Sequence, residues 1–355
     1  MNKAQEIAEF IFQDFEKNKN HKQFFLFECK RYHPVFKYSR ADNNAFCTAY
    51  ILHRLKKNSA ILTEAQKTKL LDVLNHFHQR IPEYKHVLKR DPSYNFYQNH
   101  PKSNFFPNSK VIGKFKHFKL ADEIDTSALV YQILDDKSEM NKLFDLANSF
   151  ANLHPCPPKA EIAKHKVYGT WFGNKTNFEI DLCALCNFLE LKISNSESLS
   201  ITDLSSLLFL RESIMNKWWM EYSYFLSPSY QRPIIIGYHL ARFINMFPQH
   251  FSENHFETLK KDISTLNSNT DFENRLKIFS LNRLTRKAPE LPLKHKHTSL
   301  SVMELNFPWF KAAYLSVFKT KFIHKLGKSE LFQMHFYCPS LLKAIELEEI
   351  NHYYK

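Results

Sequence analysis

Apolar residues recur every three to four positions through most of this chain, the spacing of helices that bury one face. Residues 3–18 place Ile7, Phe10, Ile11 and Phe15 on one stripe. The stretch "NNAFCTAYILHRLKK" (43–57) predicts a helix that opens on small residues, and 63–79 predicts an amphipathic one with Thr63 as its N-cap. Further helices are predicted at 122–134, 138–152, 178–192, 202–222, 230–247, 253–265, 271–284, 300–324 and 339–351. Two stretches break the period. Residues 81–120 are rich in Pro, Asn, Tyr and Phe, and 286–298 form a Pro/Lys/His linker.

The predicted helices fall into pairs, one richer in small and apolar residues, the next more amphipathic. The first members echo one another. "NNAFCTAYILHRL" (43–55) overlays "DEIDTSALVYQIL" (122–134) without gaps, matching Thr48 with Ser127 and Ala49 with Ala128. "DLCALCNFL" (181–189) overlays "DTSALVYQI" (125–133), matching Asp181 with Asp125 and Ala184 with Ala128. Degenerate hairpins in series curve into a solenoid or close into an α/α toroid. In a toroid the inner helices are buried on nearly all sides and need small residues, and their N-termini gather at one mouth. There the aligned dipoles favour carboxylates and anionic ligands. The expected fold class is therefore all-α, a single α/α-toroid domain over 1–355 of about five to six hairpins. Within it, 1–40 is an N-terminal helix and lead-in, 41–285 the hairpins, 286–298 the linker and 299–355 a closing hairpin.

Composition narrows the function. Only five of 355 residues are Gly, and neither GxGxxG nor GxxxxGK[ST] occurs, which excludes a Rossmann or Walker phosphate cradle. The formal net charge of +13 favours an anionic partner, or else marks a Lys-rich solubilising face. Its denser basic runs, "KVIGKFKHFK" (110–119) and "RLTRKAPELPLKHKH" (283–297), match no nucleic-acid-binding module. Six cysteines in a chain of this length, with no apolar leader, read as reduced thiols. No run of about 18 apolar residues predicts a membrane span. A cytoplasmic location is expected.

The opening of the second inner helix, "ADEIDTSALVYQIL" (121–134), resembles the DxDDTA segment of terpenoid cyclases, and the hairpin series is similar to the wider terpenoid-cyclase and protein-prenyltransferase superfamily. "YGTWF" (168–172) and "FYCPSLLKAIELEEI" (336–350) fit the same architecture. The resemblance implies an isoprenoid or other small ligand in a central cavity. In the cyclases the middle aspartate of that segment donates the initiating proton; here the position is Ile124, flanked by Asp122 and Asp125. "DDKSE" (135–139) resembles a magnesium-diphosphate motif, but it falls between two predicted helices and is read as a solvated turn in which Ser138 caps the next helix. "DLC" at 181–183 and "YH" at 238–239 resemble the zinc ligands of prenyltransferases, which would make Asp181, Cys183 and His239 a zinc set. As residues, Cys183 and Cys186 also fit small core positions one turn apart, and His239 fits a packed helix; no metal or cofactor is expected.

Asp122, Asp125 and Asp181 are the candidate catalytic residues, as carboxylates at inner-helix starts. Helix-end electrostatics accounts for Glu123, and Asp122 can also cap its helix. Asp42 and Asn43 complete the expected rim. Tyr168, Trp171, Tyr230, Tyr238, His239 and Arg242 are the candidate ligand-binding set, since aromatic walls suit an isoprenoid chain or a sugar face. The expected function is a toroid with a central ligand-binding cavity. A helical scaffold with a plugged centre, binding protein or nucleic acid through its basic surface, is the alternative, and a carbohydrate-active α/α barrel with paired carboxylates is the second.

Overall fold

The computed structural model describes residues 2–85, 92–99, 120–153, 157–173, 178–285, 300–301, 304–313, 315 and 321–353. The proposed linker at 286–298, the basic run at 110–119 and most of the 81–120 stretch lie outside them.

The chain is mostly helical. In order come α1 (Lys3–Asn18), β1 (Lys30–His33), β2 (Tyr38–Ala41), α2 (Ala45–Lys57), α3 (Glu64–Arg80), β3 (Asp122–Glu123), α4 (Ile124–Leu134), α5 (Lys137–Phe150), β4 (Asn152–Leu153), β5 (Lys166–Val167), β6 (Trp171–Phe172), α6 (Leu182–Asn195) and α7 (Ile201–Met215). Then follow α8 (Trp218–Glu221), α9 (Ser223–Leu226), α10 (Pro233–Met246), α11 (Glu253–Thr265), α12 (Asp271–Thr285), β7 (Phe310–Ala313), α13 (Lys321–Gly327), β8 (Gln333–Tyr337) and α14 (Pro339–Tyr353).

Local chemistry sets the helix starts. Asn2, Thr63 and Ser200 each close a capping box, with Gln5, Gln66 and Asp203 reaching back to the cap N–H. Between α4 and α5 the acidic pair ends one helix and starts the next: Asp135 sits in the left-handed region at φ 55°, and Asp136, not Ser138, accepts from the Glu139 N–H at 3.1 Å. "DDKSE" is thus a turn.

Two kinds of helix pack together. In α2, α4, α6 and α10 nearly every side chain is buried, whatever its angular position, which places these helices inside. α1, α3, α5 and α11 bury a single stripe, such as Ile7, Ile11 and Phe15 on α1. α2 packs on α4, α4 on α6, α6 on α10 and α10 on α12, while α14 packs on both α1 and α2. Close approach has a residue-level cause at Gly237 of α10: a Cβ there would lie 3.1 Å from both Ile263 and Trp219 side-chain atoms.

Where a helix is predicted at 300–324, the described residues form a short turn at Glu304–Asn306, the strand β7 and the start of α13. β7 joins an antiparallel sheet of order β2-β1-β8-β7, which the helical pattern did not foresee. Lys30 pairs with both Ala41 and Tyr337, and Phe310 with Phe336, so the sheet unites segments from opposite ends of the chain. It also sets Phe310 and Phe336 face to face, ring centroids 4.5 Å apart, against Phe46 and Phe96.

Candidate acid slot and buried ion network

The start of α4 is fixed by backbone pairing. β3 bonds β6, matching Glu123 with Trp171; Glu123 also bridges to Tyr94, and the Ile124 N–H donates to the Thr170 carbonyl at 2.9 Å. This holds Glu123 at the N-cap position of α4, although its side chain does not cap. The carboxylate instead accepts from the Thr126 hydroxyl. Burial first, and then the charge of Asp125, push the Glu123 carboxyl up to about 8.

Asp125 lies in the first turn of α4. It accepts from Asn187 Nδ2 and from the Tyr230 hydroxyl, each at 2.8 Å. Burial raises it to about 6 against those two hydrogen bonds. Asp181 caps α6, taking the Cys183 and Ala184 N–H groups at 2.9 and 3.3 Å, the Ser227 hydroxyl at 2.6 Å and the Ser229 N–H at 3.1 Å. Burial lifts it to about 7, opposed by Ser227.

These three carboxyl groups share one slot of about 30 Å³, walled by Phe46, Phe96, Tyr230 and Phe310. That is room for about one water molecule. The slot combines a carboxyl raised to about 8 with two raised to about 6 and about 7, a pairing suited to proton transfer.

The other candidates are distributed elsewhere. Asp122 is neither a cap nor part of the slot: its oxygens accept from Ser93 Oγ at 2.8 Å and Asn95 Nδ2 at 3.0 Å. Asp42 lies 3.6 Å from Arg31 Nε and accepts from Tyr97 at 3.1 Å, and the Asn43 carbonyl accepts from Tyr84. Of the expected rim of Asp42, Asn43, Asp122, Asp125 and Asp181, the last two line the slot, whereas the first three bond to neighbours outside its lining. Tyr168 donates to Asp203 at 2.6 Å, and Trp171 Nε1 to Glu179 at 2.9 Å.

Tyr238, His239 and Arg242 lie on α10 within an interior charged network. Arg242 pairs with Glu190 and donates to Asn187 at 2.7 Å. Glu190 also meets Lys57 at 2.9 Å. Arg54 reaches Glu348 at 3.1 Å. Arg283 grips Glu349 at 2.6 and 2.9 Å, and Tyr238 donates to the same carboxylate at 2.8 Å. Despite burial, Arg242 and Lys57 hold Glu190 well below the usual carboxylate range. Burial, and then the charge of Arg242, push His239 well below the usual imidazole range, leaving it neutral. Among the described residues neither of its ring nitrogens has a hydrogen-bond partner, and its ring packs among Tyr230, Tyr238 and Trp309.

A zinc set of Asp181, Cys183 and His239 is not assembled. Cys183 Sγ lies 3.5 Å from Ser227 Oγ, and His239 packs among rings. Among the described residues no group of three or more His, Cys, Asp or Glu is arranged to hold a metal, and no helix is long and apolar enough to cross a membrane.

Sequence reasoning assigns Glu123 to helix-end electrostatics and passes over Asn187, Glu190, Glu348 and Glu349. The signal at Glu123 was visible, three acids in four positions, but the pairing of β3 with β6 that turns it inward was not. For Glu190 the clue was a charge inside the otherwise apolar "CNFLELKI". Comparison with protein-family models, curated proteins and solved structures finds no match for this chain.

Proposed function

We propose that the chain is a divergent α/α toroid of the terpenoid-cyclase and prenyltransferase kind, acting as an acid–base enzyme on the reactive end of a small or isoprenoid substrate. The toroid is supported by the succession α2–α4–α6–α10–α12, with α14 against α2 and tied to α12 through Glu349 and Arg283. The function rests on one observation: Glu123, Asp125 and Asp181 open onto a single aromatic-walled slot. Glu123 takes the role of proton donor that Ile124 cannot fill, and Asp125 or Asp181 accepts the proton back. The rings of Phe46 and Tyr230 would steady a developing positive charge.

The test is a panel of linear isoprenoid alcohols and diphosphates, scored by thermal shift and by mass spectrometry of products. The reading expects a ligand that stabilises the protein and is converted, with conversion lost in Glu123→Gln. It fails if no member of the panel binds.

A second reading has its own support. Arg54, Arg242 and Arg283 with Glu190, Glu348 and Glu349 fill the interior with paired charge, which suits a plugged scaffold binding an anionic partner outside. Salt-sensitive retention on immobilised nucleic acid, unchanged by Glu123→Gln, would favour it.

A further inference from the structure

Three thiols from distant parts of the chain meet at one seam, apart from the acid slot. Cys29 precedes β1, Cys47 lies in the first turn of α2, and Cys338 immediately precedes α14. The sulfurs of Cys29 and Cys47 are 3.7 Å apart, and Asn44 Nδ2 donates to Cys29 Sγ at 3.1 Å. The Cys338 thiol interacts electrostatically with both other thiols, and all three residues are buried.

We propose that Cys29, Cys47 and Cys338 form a disulfide site, oxidised by a hydroperoxide to one intramolecular bond at the seam where α14 meets α2. The arrangement supplies each part of that chemistry. Cys338 stands at the N-terminus of a 15-residue helix, where the dipole favours a thiolate. Against burial, the thiols of Cys29 and Cys47 and the Leu341 N–H hold Cys338 well below the usual thiol range.

Its thiolate attacks one peroxide oxygen. The O–O bond breaks, the sulfur becomes a sulfenic acid, and the departing hydroxide takes up a proton to leave as water. Cys29 or Cys47 then gives up its proton and attacks the Cys338 sulfur. A disulfide forms, the S–O bond breaks, and hydroxide leaves with that proton as a second water. In sum, two thiols and hydrogen peroxide give one disulfide and two waters. Sulfur is oxidised and peroxide oxygen reduced. The third thiol stays free to exchange with the new bond.

The native full-length chain is treated with hydrogen peroxide, alkylated under denaturing conditions, digested without reductant and mapped by mass spectrometry. The expected result is one linkage within Cys29, Cys47 and Cys338, two fewer alkylated thiols and reversal by dithiothreitol. Cys186→Ala, a buried thiol on α6, leaves the response unchanged. Cys29→Ala with Cys47→Ala abolishes it, and if that double variant does not fold, Cys338→Ser alone slows it at least tenfold. The proposal is overturned if the native chain keeps all its thiols after peroxide, if the linkage forms only in urea, or if Cys183 or Cys186 is joined instead.

Discussion

Replacing Glu123 with Gln asks whether the slot holds an un-ionised acid. Gln keeps the size of the side chain and an oxygen for the Thr126 hydroxyl, but it cannot ionise. In the folded chain burial raises the Glu123 carboxyl from 4.5 to about 8. A folded value above the unfolded one means that the native state binds the extra proton. The stability tied to that proton is fully present below the unfolded value, falls as pH rises, and is lost by the folded value. At 1.36 kcal/mol per unit, the wild type loses about 3–4 kcal/mol between about pH 5 and about pH 8 through this one group. The variant lacks that loss. Asp125 and Asp181 add slopes of the same sign to both proteins, so the difference between the two curves reports Glu123 together with its charge coupling to those two groups. Urea unfolding across this range should show the variant overtaking the wild type as pH rises. Parallel curves, agreeing within about 1 kcal/mol, would mean that Glu123 ionises normally, and the proton-donor role would fall.

Three further outcomes are expected. Arg242→Ala removes the buried guanidinium from Glu190 and Asn187, leaving Glu190 to the half-exposed Lys57, and should cost about 3–5 kcal/mol in urea unfolding, whereas replacing Arg242 and Glu190 together by Leu should recover most of it. Gly237→Ala drives a methyl against Ile263 and Trp219 and should cost about 1–3 kcal/mol by the same measurement. Ser200→Ala opens the capping box of α7 and should lower the thermal midpoint by an amount equivalent to about 1 kcal/mol.

The helices were legible because their signals are local. Thr63 with Gln66, and the stripe of Ile7, Ile11 and Phe15, act within a few residues of themselves. The echo of 43–55 in 122–134 picked out two of the buried helices for the same reason: small residues are what close packing on all sides requires. The sheet was illegible because its strands are short and its partners remote. "KRYH" has no recognisable period, and its pairing with "QMHFY" spans almost the whole chain. The site was half legible. Polar residues at helix starts were visible, but Ser93 and Asn95 decide that Asp122 turns away, and Trp171 and Tyr94 decide that Glu123 turns in. The charged interior was missed because a lone Arg or Glu in an apolar helix carries no mark of its mate on another.

α14 has a bearing on biosynthesis. It supplies neighbours to α1 and α2, yet it leaves the ribosome long after them. For most of translation the stripe of α1 and one flank of α2 lack their native cover, and Arg54 lacks its carboxylate. The nascent polypeptide must therefore wait, partly unshielded, for residues near 340–350 before its first helices can settle. A premature stop just upstream would leave a product that chaperones and proteases recognise, rather than a slightly shortened version of the same fold.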